Sequence, residues 1–330
     1  MKSSYFIIFA LAWFLSVFVE MAFYLDLKGE EYRIIAIPYG TPIKTIAQLL
    51  EEEGVALSLP LRFFMFLSAQ EKVIAGRYLL RWGTPVTKVV ERLVEGPPRD
   101  RITFPEEITA QQMADILEKR GICSRQEYIE AIAHPEVFDR EWLAGVASLE
   151  GFLFPDTYLV PIPSTSYQVV EMQLSRSEEL ILPLYRNSDS PLSLQETVTL
   201  ASIIEKEAKD EEEKPYIASV FFNRLKKGMK LQSCATVIYA HYRENGVSLS
   251  HLQYQDLKID SPFNTYIHHG LPPQAIGNPG FASLYAALHP KPTDYLYFVL
   301  LPEERHAFSS TYDEHLAKKG ENDGEKDERF

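Results

Sequence analysis

The chain has 330 residues, 46% hydrophobic and 24% charged, with a formal net charge of −13. These totals describe a globular protein long enough for two or three domains. The acidic balance argues against nucleic acid as a partner, since phosphate contacts require a basic surface. Cys123 and Cys234, the two cysteines, supply neither a disulfide framework nor metal-ligand spacing and read as ordinary thiols.

Tyr5 to Leu25 is almost entirely apolar and reaches the ~20 residues a membrane-spanning helix needs. Its one internal charge, Glu20, lies near the distal end, where a long side chain can reach the interface. Lys2 and the free amine precede the run, and no small-x-small cleavage site follows it. Residues 1–28 are therefore expected to be an uncleaved, single-pass anchor in the cytoplasmic membrane. The N-terminus would be cytoplasmic and the remaining chain on the other side.

Residues 29–100 read as a strand–helix–helix–strand unit with one further helix. The strand at Arg33–Pro38 is followed by Gly40-Thr41-Pro42, with Thr41 as the expected N-cap and Pro42 in the first turn. Ile43, Ile46, Ala47 and Leu50 form the buried stripe, and Gly54 ends the helix. A Phe-rich helix follows from Leu61 to Ser68, then a strand at Gly76–Leu80. A second Gly-Thr-Pro, at Gly83–Pro85, opens a helix to about Glu95. This is a module of LysM size. In the connecting subdomain, 101–150, a strand starts at Arg101–Pro105, and Thr109 and Ser124 each cap a helix.

Ser148–Tyr158 carries two acids among large apolar groups, with a turn at Phe154-Pro155-Asp156. A helix over Tyr167–Tyr185 precedes the polar loop Asn187–Pro191. Ser193 with Glu196 makes a capping box, which launches Leu200-Ala201-Ser202-Ile203-Ile204-Glu205-Lys206-Glu207-Ala208. At about 100° per residue, Glu207 continues the apolar stripe of Leu200 and Ile203; Glu205 falls near its edge and Lys206 outside it. A carboxyl group on an apolar face has a raised pKa, the state a general acid needs. Taken alone, the pattern fits better an acid that flanks the core and bends its head to water, since long acidic side chains at core edges are common. Lys209–Lys214 (KDEEEK) reads as a solvated charge run. Pro215 restarts a helix that ends at Gly228, with Arg224 in its last turn, where the dipole favours cations.

From Glu150 onward the chain resembles the endolytic murein transglycosylases of the MltG/YceG-like family. The likeness rests on segments that recur in order: Glu150-Gly151-Phe152-Leu153-Phe154-Pro155-Asp156-Thr157-Tyr158, Leu200–Glu207, Ala218–Leu225, Leu231-Gln232, Phe263–Tyr266, Gly270–Pro273, Asn278-Pro279-Gly280, His289-Pro290, Tyr295–Val299, and His306 with Phe308. The resemblance places the catalytic acid at Glu207. One departure stands out: Ser233-Cys234-Ala235-Thr236 replaces the family's usual Thr-Asp-Pro-Thr.

The resemblance implies non-hydrolytic cleavage of the MurNAc-β-1,4-GlcNAc bond, giving 1,6-anhydroMurNAc ends and terminating nascent glycan strands. It implies no cofactor and no metal. The expected partners are peptidoglycan glycan strands, the cytoplasmic membrane through one helix, and cell-wall synthesis proteins. Glu205, Gln232, Asn264, Thr265 and Tyr266 are the expected substrate-binding residues. The architecture expected is α+β: a transmembrane helix, a small LysM-like βααβ module, a mixed catalytic domain over 101–317 with β-rich segments around Thr265 and Tyr295–Val299, and a disordered tail over 318–330. The alternative is a non-catalytic, membrane-anchored scaffold that binds peptidoglycan.

Overall fold

The computed structural model describes residues 9, 11–15, 32–67, 73–81, 83–247, 249–302 and 305–327, residues 321–327 by backbone alone. Of the expected span at 5–25, only 9 and 11–15 are described, and they are helical; the rest lies outside the described residues. No described helix is long and apolar enough to cross a membrane.

The described chain divides into two units. The first comprises the chain up to Ile102 together with Tyr158–Thr165. Here β1 (Tyr32–Ile37) pairs antiparallel with β2 (Gly76–Arg81), from Tyr32 opposite Arg81 to Ile37 opposite Gly76. Between them run α1 (Ile43–Glu52) and α2 (Ser58–Leu67), and α3 (Val86–Glu95) follows. Alternation on the strands sends Ile35, Ile37, Tyr78 and Leu80 inward, against Ile46, Leu50, Leu61, Val89 and Leu93. Thr41 is not an N-cap. Its hydroxyl donates back to the Pro38 carbonyl (2.8 Å), and Thr84 does the same to Arg81 (2.6 Å). The repeated Gly-Thr-Pro thus closes a turn ahead of each helix, with glycine supplying φ of +76° and +71°.

A second two-stranded sheet pairs β3 (Arg99–Thr103) with β4 (Thr157–Pro161). The larger unit, Thr103–Thr157 with Ser166 onward, is mostly helical. It contains α4 (Ala110–Lys119), α5 (Arg125–Ile132), α6 (Ser166–Arg186), α7 (Leu194–Glu207), α8 (Lys214–Lys226), α9 (Cys234–Asn245) and α10 (Phe281–Leu288). The antiparallel hairpin β5 (Tyr297–Leu300) and β6 (His306–Ser309) precedes α11 (Tyr312–Asp327). Capping boxes at Thr109, Ser124 and Ser193 start α4, α5 and α7.

At the centre lies α7, packed against α8, α9 and α10. Thr197 to Glu205 is buried without a break. A helix covered on every side has no solvent face for periodicity to find.

Besides the Thr41 cap, two expectations give way in the larger unit. The segment around Thr265 forms turns, not strand, because its backbone groups bond to side chains and near neighbours, as in Asn264 N–H to the Ser261 carbonyl. Residues 318–327, expected as a disordered tail, continue α11. Its Lys- and Glu-rich sequence suits a helix without an apolar stripe, and α11 starts against β5 and β6.

One knot ties the start of α4 to distant loops. The Asn278 side-chain carbonyl accepts from the N–H groups of Gly151 (2.8 Å) and Leu153 (3.1 Å). Its amide donates to the Ile108 carbonyl and to Glu150, both at 2.9 Å. Glu150 also accepts from Ala110 N–H (2.9 Å). Gly151 holds φ +95°, and a Cβ there would stand 2.5 Å from that of Ala275. Burial raises the Glu150 carboxyl from 4.5 to about 7, against the opposing pull of these donors and Lys206. Between those values the folded state keeps a proton that the unfolded state releases, so stability falls as pH rises. The loss from this group is ~3 kcal/mol. Glu150→Gln, which preserves the acceptor, is expected to remove that decline in thermal melts across pH 4.5 to 7.

Candidate active site

Glu207 is the last residue of α7, half-buried where the helix emerges from the core. Its carboxylate meets the N-terminus of α9. The Ser233 hydroxyl donates to Glu207 Oε1 (2.5 Å), and the Ala235 N–H donates as well. The α9 dipole adds to this attraction for negative charge. Burial works the other way and dominates, pushing the Glu207 carboxyl above its ordinary range; Ser233, Ala235, His306 and Arg224 pull it back. The departure at 233–236 has a direct consequence. A proline at 235 would have no N–H to donate, so alanine gives this carboxylate an additional donor.

Ser233 is itself held in place. Its N–H donates to Thr265 Oγ1 (3.0 Å), and its carbonyl accepts from Thr236 Oγ1 (2.7 Å). Thr236 and Thr265 are bonded hydroxyl to hydroxyl at 2.8 Å. Gln232 N–H donates to the Thr265 carbonyl (3.1 Å), and Gln232 adopts φ +51°, uncommon for a residue with a Cβ.

These contacts redistribute the expected substrate-binding set. Thr265 is buried and spent on Ser233 and Thr236, so it supports the site instead of facing a ligand. Asn264 is fully buried; its amide donates to the Leu257 and Ile259 carbonyls and its oxygen accepts from Tyr266 N–H. It shapes the loop. Gln232 is exposed next to Ser233, its side-chain oxygen accepting from Arg224 (3.4 Å), and the half-buried Tyr266 places its hydroxyl 3.1 Å from Cys234 Sγ. Burial raises the Tyr266 phenol, which therefore remains a donor.

Glu205 is more buried than Glu207, the reverse of the helical wheel. Its Oε1 pairs with Lys214 Nζ at 2.8 Å, both side chains at most 6% exposed, and its Oε2 accepts from Gly280 N–H (2.8 Å). Lys214 and Glu213 accordingly leave the supposed solvated run. Glu213 grips His306 through both ring Nδ1 (2.6 Å) and backbone N–H (2.7 Å), which fixes the start of β6.

Arg224, assigned only a helix-dipole role from sequence, is a hub. It donates to the carbonyls of Leu296 (2.6 Å) and Leu231 (2.8 Å) and lies over the Tyr297 ring. Its burial among carbonyls has no local sequence signal. The segment Ala218–Leu225 marked the region without the role.

The YceG-like family matches residues 35–321. The chain belongs to the YceG-like family. The endolytic murein transglycosylase of Bacillus subtilis is 32% identical over 299 residues, covering 85% of this chain and 82% of the relative. That of Streptococcus pneumoniae D39 is 28% identical, covering 83% of this chain and 55% of the longer relative. A crystal structure of a YceG-like protein from Listeria monocytogenes is 30% identical with a TM-score of 0.58, covering 88% of this chain and 99% of that one. The α+β, YceG-like architecture follows from these likenesses.

Two outcomes are expected of this YceG-like site. Glu205→Ala strands a buried Lys214 and should cost about 3–5 kcal/mol in denaturant titration. Ser233→Ala and Ala235→Pro each remove a donor to the ionised form of Glu207. Each should raise its pKa, visible as an upward shift of the Glu207 titration followed by carboxyl-labelled NMR.

Proposed function

We propose that this protein is an endolytic peptidoglycan lytic transglycosylase with Glu207 as its single general acid–base. The observation that carries this reading is a carboxyl group kept proton-loving by burial yet aimed at a helix N-terminus that can receive it as an anion. A retaining or inverting hydrolase needs two carboxylates across the bond. The neighbouring acid, Glu205, is committed to Lys214 and Gly280, which favours a one-acid reaction.

Protonated Glu207 donates to the leaving glycosidic oxygen of the MurNAc-GlcNAc bond. The muramyl carbon gains oxocarbenium character. The carboxylate, stabilised by Ser233, Ala235 and the α9 N-terminus, then takes the proton of the C6 hydroxyl, and that oxygen closes the 1,6-anhydro ring. Because the nucleophile belongs to the same sugar, its effective concentration is already high. Tyr266 and exposed Gln232 stand where they can donate to sugar oxygens or N-acetyl groups. The apolar run at 5–25 would anchor the enzyme in the cytoplasmic membrane with its bulk outside, and the strand–helix–helix–strand unit would present glycan as LysM modules do. Cell-wall synthesis proteins are the partners this placement suggests.

The test is mass spectrometry of purified sacculi after digestion. The wild type should yield 1,6-anhydromuramyl ends, and Glu207→Gln should lower their rate by ~10²–10⁴ with the fold intact. Activity should fall as pH rises through the raised Glu207 pKa, since the acid form is consumed. Reducing ends would mean a hydrolase, and binding without release the scaffold. Full activity in Glu207→Gln would remove Glu207 from the mechanism.

A further inference from the structure

The middle residue of Glu205-Lys206-Glu207 bonds to neither acid. Lys206 Nζ donates to the Glu107 carbonyl (3.0 Å) and lines two adjoining cavities of about 240 and 420 Å³. Glu107 and Gln112 line both as well, so the two form one groove with the ammonium in the middle. The smaller lobe is walled by Ile238, Tyr239 and Tyr242 and reaches Ala235, whose N–H holds the Glu207 carboxylate. Groove and acid therefore share a residue. In the other lobe Lys119 adds a second cation and Asp115 is taken up by Arg125 at 2.9 Å, while Glu106 and Glu107 also line it, so the lysines act there against two carboxylates.

The groove is shaped around this lysine. Glu107 holds φ +66°, a left-handed conformation few residues with a Cβ adopt, and its carbonyl is the one Lys206 meets. A Cβ on Gly277 would stand 3.2 Å from Lys206 Cε and 2.7 Å from the Glu107 oxygen. One ammonium proton is used; two remain for a ligand. Burial holds this amine below the usual lysine range, opposed by Glu107, Glu150 and Glu205. An anion arriving in the groove would relieve that cost.

We propose that the Lys206 groove is a subsite for the peptide stem of the muramyl residue being cleaved, with Lys206 binding a stem carboxylate and the Tyr239–Tyr242 wall taking its apolar portion. This deepens, and rests on, the transglycosylase reading. The stem branches from the same sugar whose bond Glu207 breaks. Because Ala235 borders the groove and holds the acid, a chain leaving that sugar needs to pass only one residue to enter it. Lys206 would then be a specificity residue, giving preference for strands that still carry stems.

Two measurements test this. With the full-length enzyme, initial rates of 1,6-anhydro end formation are compared on glycan strands with intact stems and on the same strands stripped by an amidase. The ratio of kcat/KM on intact over stripped strands should fall about tenfold or more in Lys206→Met, the loss of one charge-assisted contact, and recover in Lys206→Arg. Equal losses on both substrates, or an unchanged ratio, would overturn the subsite. The second measurement uses wild-type protein alone: calorimetric binding of a free stem tripeptide against its fully amidated form. The carboxylate form should bind at least about tenfold tighter. Equal affinities, or no binding of either, would sink the proposal. If no anhydro product forms from any strand, the transglycosylase reading fails while the peptide titration still judges the groove.

Discussion

The buried Glu205–Lys214 pair is the constraint on which the rest of the site depends. Two charges have been taken out of water at the point where α7 ends and α8 begins. Such a pair persists only if every lone pair is satisfied, because desolvation otherwise exceeds the Coulombic return. Gly280 N–H completes the set and brings the start of α10 to the same spot. With Glu205 fixed, the helix has no rotational freedom in its last turn. Lys206 must then leave on one side toward Glu107, and Glu207 on the other toward Ser233. Three consecutive charged residues acquire three separate environments from a single anchoring contact.

Glu207 illustrates how opposing fields set an acid. Burial alone would hold the proton too tightly for it to be given up, and the α9 N-terminus alone would strip it away. Arg224 and His306 contribute at longer range, and each is fastened by its own network: Arg224 by the carbonyls of Leu231 and Leu296, His306 by Glu213. The Ser-Cys-Ala-Thr segment sits inside this balance. Its serine and alanine both donate to the carboxylate, so the departure from the family pattern changes the donors around the acid while leaving the acid in place.

The sequence was readable where the physics is local. The N-caps Thr109 and Ser124 and the capping box of Ser193 with Glu196 need only residues close in sequence, and the structure has all three, each as a full capping box. The strands at Arg33 and Gly76 follow from alternation and turn residues. Each Gly-Thr-Pro does open a helix, but the Thr41 bond runs back to a carbonyl and not forward as an N-cap, because a threonine hydroxyl can turn either way. Asn264 and Thr265 looked available for ligand because a polar side chain in a loop carries no record of what it will bond. Both are consumed by backbone and neighbouring hydroxyls.

By itself, the sequence determined the helical frame, the two-strand beginning of the chain, the family, and the candidacy of the Glu205–Glu207 segment. Only the tertiary structure decided what each of its three charges does. A helical wheel assigns environments by assuming one buried face, and α7 is buried on all of them from Thr197 to Glu205. Burial there is set by α8, α9 and α10, elements that arrive from later in the chain. The pairing of Glu205 with a lysine from a run that looks solvated, the reach of Glu207 to a helix end 26 residues on, and the groove over Lys206 exist only once those elements have packed.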